Sequence, residues 1–129
     1  MIEIENFQKL NNNFFSFIYT LEDITYRSGV LFVEPITDAY FAEMFPSIQN
    51  TLFWLEQNVS NLAKQVEDNL PNGANVNIFR QQHIISFSLF FEKNDVIPTI
   101  KLAYGNDNGE TYIIAQIKNK QINTVELNC

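Results

Sequence analysis

One cysteine, one histidine, four glycines and four prolines are what this 129-residue chain has least of, and each scarcity removes an explanation. A lone thiol, Cys129, cannot form an internal disulfide, and small secreted domains usually carry an even set, so a reducing cytoplasm is the expected home. One His and one terminal Cys cannot supply a zinc site, so no metal and no cofactor is expected. The glycines, Gly29, Gly73, Gly105 and Gly109, form no phosphate-cradling motif. No apolar run approaches the length needed to span a bilayer: Ile84–Phe91 is short and interrupted by serine. The N-terminus, Met1-Ile2-Glu3-Ile4-Glu5-Asn6, has acid where an export signal needs base.

Basic residues are also missing over a long stretch: no Lys or Arg lies between Arg27 and Lys64. Residues 1–70 carry 10 acids against 3 bases and residues 71–129 carry 5 against 5, which places the formal charge of −7 in the first half. Binding to nucleic acid or to an anionic membrane requires a basic footprint that this chain lacks. A basic protein is the partner such a field favours.

What the chain has is aromatic area. Twelve Phe, five Tyr and one Trp allow hydrophobic burial to drive folding of one domain, residues 1–129, without staples. Ile48, Leu52, Leu55, Val59, Leu62, Val66 and Leu70 repeat at steps of three and four, which predicts an amphipathic helix over about 47–70, with Pro46 at its start and Pro71-Asn72-Gly73 as its stop. A shorter helical turn capped by Thr37 or Asp38 precedes it, with Tyr40, Phe41 and Met44 on its apolar side.

Residues 1–34 admit two readings: one helix from about Glu3 to Arg27, or a short helix stopping at Asn11-Asn12-Asn13 followed by a hairpin turning at Glu22-Asp23. Three asparagines are poor helix formers, which favours the second. Val30–Val33 reads as strand either way.

Beyond Gly73 the period changes to two. Phe79, Gln81, His83, Ile85, Phe87, Leu89 and Phe91 share one side of an extended strand, and strands follow at Thr99–Tyr104, Thr111–Lys118 and Ile122–Leu127. Turns at Gly105–Gly109 and Asn119-Lys120 make this an antiparallel meander. The expected class is α+β: a helical N-terminal half packed on a C-terminal sheet.

No catalytic motif stands out. His83 is the one side chain with an ordinary pKa near neutrality, yet its phase places it among Phe79, Ile85, Phe87 and Leu89, as a packed histidine. Gly105–Glu110 resembles a calcium loop only in Asn106, Asn108 and Gly109; Tyr104 and Ala115 stand where ligating acids would be needed, and a tight hairpin accounts for it. Phe53 and Trp54 project away from the Leu52/Leu55/Leu62 stripe. Either a second layer covers them, or they form an exposed aromatic anchor among acids. The candidate partner-binding set is therefore Glu34, Asp38, Tyr40, Glu43, Phe53, Trp54 and Glu56.

Small size, acidity, aromatics and the lack of catalytic residues together predict a non-enzymatic, stoichiometric inhibitor. The type is the bacterial immunity protein, which neutralises a basic toxin such as a nuclease by covering its active site. A small acidic secretion chaperone is the alternative, though such proteins often end in a helix and this chain ends in a predicted strand. A small-ligand-binding or enzymatic α+β domain, with Tyr104, Tyr112 or His83 lining a pocket, is the third class.

Overall fold

A computed structural model describes residues 1–128; Cys129, expected to be a lone thiol without catalytic role, lies outside them. The class is α+β, with one long helix on a seven-stranded mixed sheet. Strands β1 (Gln8–Asn11), β2 (Phe14–Leu21) and β3 (Ile24–Phe32) precede helix α1 (Asp38–Asp68). A short helix α2 (Val76–Phe79) and strands β4 (His83–Phe91), β5 (Thr99–Gly105), β6 (Thr111–Lys118) and β7 (Gln121–Leu127) follow. Strand order in space is order in sequence. Every neighbouring pair is antiparallel except β3 and β4, which run parallel because α1 carries the chain back across the sheet between them.

This corrects the expectation of a helical N-terminal half. Residues 1–34 hold three strands, and the only helical piece there is a 3-10 turn at Ile4–Asn6. The hairpin of the second reading is present, with Glu22 and Asp23 at φ 46° and 70° in the paired left-handed positions that a two-residue turn requires. Asn119 and Lys120, at φ 52° and 66°, do the same between β6 and β7. Gly105–Glu110 is a hairpin connection, in which a side chain at Gly105 would strike the Glu110 carbonyl.

Helix α1 also begins nine residues earlier than its leucine stripe suggests. The Thr37 hydroxyl accepts from the Tyr40 amide at 3.1 Å and caps the start. Pro46 therefore lies inside the helix rather than at its head. An interior proline costs about 3 kcal/mol, and the burial of Phe41 opposes that cost: its ring stacks on Phe15 at 4.0 Å.

One sheet face packs on α1. Phe15, Phe17, Val30, Phe32, Leu89 and Leu102 meet Ile48, Leu52, Leu55 and Leu62 there, all buried. The strand phase expected for β4 fails at its first residues, because a bulge at Ile85 shifts the register between Ile84 and Ser86. Ile84 and Phe87 thus face the helix, while His83 turns outward: its side chain is 42% exposed and its Nε2 lies 3.6 Å from the Asp107 carboxylate.

The parallel seam is short. Ladder pairs join only Val30–Phe32 to Leu89–Phe91. Towards the other end, where no ladder pair joins β3 to β4, hydroxyls bridge the two strands: Ser28 Oγ donates to the Phe87 carbonyl and Tyr26 Oη to the Ile84 carbonyl, each at 2.6 Å. Both residues are buried, so these bonds satisfy backbone that the ladder leaves unpaired.

Candidate functional site

The charge is divided between the two layers as well as between the two sequence halves. Helix α1 carries Asp38, Glu43, Glu56, Glu67 and Asp68 against Lys64 alone. The uncovered sheet face carries Arg27, Lys101 and Lys118, placed there by their ladder partners Ile18, Ser88 and Gln121, against Glu126 opposite Ile114 and Glu92 at 4.0 Å from Lys118. The helix side is the anionic one.

On that side, a groove of about 480 Å³ runs between the N-terminal half of α1 and two loops, 92–98 and the β6–β7 turn. Helical spacing brings Glu43, Met44, Ser47, Asn50 and Trp54 to its wall, and Val96 and Ile97 form the facing rim. Ser47 Oγ donates to the Val96 carbonyl at 2.6 Å, tying the loop to the helix. Pro98 is buried at the base, whereas Val96 and Ile97 are 67% and 50% exposed, too open for residues whose role is packing. Lys120 lies at the far rim.

The seven residues singled out from sequence do not converge on one face. Glu43 and Trp54 share this groove. Trp54 is half-buried, so its ring is partly covered by the loop and partly available. Phe53, one residue earlier and thus about 100° around the helix, points to solvent and is 43% exposed. Neither alternative holds as first framed: no second layer covers the pair, and only one ring enters the groove.

Glu34 and Tyr40 line a separate hollow at the head of α1, where Glu34 lies 4.0 Å from Lys93 and Tyr40 packs edge-on against Phe32. Asp38 is paired with Lys9 at 2.9 Å. Glu56 is on the opposite flank of the helix, where it accepts from Tyr19 Oη at 2.6 Å. Of the four carboxylates in the set, Glu43 alone has neither an ion pair nor a hydrogen bond among the described residues. Val96, Ile97 and Lys120 were missed, although two exposed β-branched residues between Asp95 and Pro98 are a readable signal.

The Tyr19–Glu56 bond has a consequence at high pH. Burial, the hydrogen bond to Glu56 and its negative charge together hold the Tyr19 hydroxyl well above its ordinary value of 10.0. Burial does the same to Tyr26 and Tyr104. Each group ionises earlier in the unfolded chain, so its contribution is complete below about pH 10 and is lost as pH climbs through the raised folded values. Thermal melts between pH 8 and 11.5 are expected to show stability falling steeply above about pH 10. The slope should be shallower in Tyr19→Phe and Tyr104→Phe; an unchanged slope in both would contradict this account.

No cluster of His, Cys, Asp or Glu that could hold a metal ion is found among the described residues. Nor is any helix among them long and apolar enough to cross a membrane. The chain matches no protein-family model, no curated protein and no solved structure, so the groove has to be read from its own geometry.

Proposed function

We propose that this chain is a stoichiometric protein-binding inhibitor of the immunity type, acting in the cytoplasm. It neutralises a basic toxin domain, such as a nuclease, by occupying that domain's active site. The observation that carries the reading is the groove beside α1: Trp54, Val96 and Ile97 offer apolar area to a partner, and the unpaired Glu43 stands at its edge. Interfaces draw affinity from a central aromatic or aliphatic anchor, and charge complementarity supplies steering and register. A partner rich in Lys and Arg approaches along the anionic helix side rather than the uncovered sheet face, where acids and bases are nearly balanced. Glu43 then pairs with one of its bases, and Lys120 fixes orientation by rejecting a base on the other rim.

The test joins binding to consequence. Proteins captured by the chain from native-host lysate are eluted with high salt, identified, and purified with and without it. The expected result is a one-to-one complex with a basic toxin domain whose activity disappears as the chain is added to equivalence. Capture of a basic domain whose activity survives saturation would overturn the inhibitor reading, and so would a set of partners with no common charge.

A further inference from the structure

Pro46 lies in the interior of α1, where each backbone N–H closes a hydrogen bond to the carbonyl four residues earlier. Proline has no N–H, so the Ala42 carbonyl is left without its helical donor. The Ser47 hydroxyl, which follows, is already donated to the Val96 carbonyl and does not replace it. Ala42 and Pro46 are both exposed, so the freed oxygen stands at the surface, open to solvent and to a partner. Pro46 also belongs to the wall of the groove, three residues beyond Glu43.

An exposed carbonyl is satisfied by water and costs little for as long as water reaches it. A partner seated in the groove covers Pro46 and takes that water away. It must then bring a donor of its own, because an acceptor buried without one costs the desolvation of the group. The neighbouring charge narrows the choice of donor. Glu43 is one residue on, and no Lys or Arg of this chain lies between Arg27 and Lys64 to neutralise it from the helix. A neutral donor would satisfy the carbonyl and leave the carboxylate uncompensated. A lysine ammonium is a compact charge that holds its hydration strongly. A guanidinium has five N–H donors in a fixed plane, so it pairs with the carboxylate and still presents an N–H to the carbonyl.

We infer that the partner segment received by this groove carries an arginine, whose guanidinium is shared between the Glu43 carboxylate and the carbonyl that Pro46 frees at Ala42. The inference rests on the groove being the partner's seat and adds to it the identity of the recognised base. It also gives the interior proline a role. The helix gives up a backbone bond, and stability with it, at a place where the lost bond becomes a recognition element.

The probes are end-blocked hexa-arginine and hexalysine, titrated into the full chain and into Pro46→Ala and followed by the carbonyl-carbon NMR shift of Ala42. Wild type is expected to bind the arginine peptide about fivefold more tightly than the lysine peptide, the scale of one added hydrogen bond. The Ala42 shift should move saturably with the arginine peptide. Pro46→Ala supplies the missing N–H and should melt higher than wild type. In that variant the arginine preference should vanish, the affinity for hexalysine should stay as it was, and the Ala42 shift should no longer respond. Equal affinity of the two peptides for wild type, an arginine preference that survives in Pro46→Ala, or failure of both peptides to bind at millimolar concentration would overturn the inference. The inhibitor reading is decided separately, by capture of a basic domain and loss of its activity. A captured and neutralised toxin that binds Pro46→Ala as tightly as wild type would refute the arginine and leave the inhibition standing.

Discussion

Phe91→Ala is expected to destabilise the chain by about 3–5 kcal/mol, the range for emptying a fully buried aromatic site. Phe91 is 2% exposed and lies where the two antiparallel halves of the sheet are joined. Its ring stacks on Phe32 at 4.7 Å with an interplanar angle of 2°. Phe32 in turn meets Phe15, Tyr40 and Phe41 edge-on. Only three residues on each strand make the parallel ladder, so side-chain packing has to hold the seam that backbone bonds hold elsewhere. Removing the ring withdraws support from the last residues of β3 and the first turns of α1 together. Urea melts of Phe91→Ala, Phe91→Leu and Phe53→Ala measure this. Phe91→Leu should lose a smaller amount, and Phe53→Ala, which is solvent-exposed, should stay within about 0.5 kcal/mol of wild type. A loss at Phe91 no larger than that at Phe53 would show that the seam does not depend on these rings.

Trp54→Ala should weaken partner binding by about 2 kcal/mol or more, roughly thirtyfold, and the loss should appear mainly as faster dissociation. Val96→Ser provides an independent version of the same loss without a change of charge, since Val96 is 67% exposed and its replacement disturbs little of the fold. Glu43→Lys acts differently. Reversing an unpaired rim charge should slow association and flatten the salt dependence while leaving dissociation nearly unchanged. Glu56→Lys makes the contrast. From sequence alone Glu43 and Glu56 are equivalent, but Glu56 is held by Tyr19 on the other flank of the helix, so its reversal should cost the Tyr19 hydrogen bond and leave association near wild type. Surface plasmon resonance on the four variants at two salt concentrations separates these effects. Glu56→Lys matching Glu43→Lys in association rate would mean that the helix acts as a diffuse anion and the groove has no special place.

The long helix, the first hairpin and the C-terminal meander were legible because each rests on local signals: a stripe of leucines and valines, paired turn residues, and alternating strands. The Thr37 cap and the helical turn over Tyr40, Phe41 and Met44 were readable, but Pro46 hid their continuity with the leucine-striped helix, which the burial of Phe41 on Phe15, a contact between residues distant in sequence, supports. Strand β1 and the crossover were hidden because Gln8–Asn11 is exposed throughout and has no period of its own; pairing with β2 alone makes it a strand. The outward turn of His83 follows from a one-residue bulge, and a period-two count passes through Ile85 without registering it. The candidate site was half legible. Trp54 and Glu43 could be found from helical projection, but the other wall is a loop whose approach to Ser47 is a tertiary event. Asp38 and Glu56, eighteen positions and thus five full turns apart, do share a flank, towards β1 and β2, but it is not the flank on which Glu43 and Trp54 line the groove.

The most direct test of the groove is hydrogen exchange of the chain, free and in a purified one-to-one complex with its partner. Strong protection is expected over residues 44–54 and at the 95–98 loop, with the uncovered sheet face around Leu31, Lys101 and Gln116 unchanged. Protection of that sheet face, with the loop and the first half of α1 exchanging as in the free chain, would contradict the assignment of the binding site.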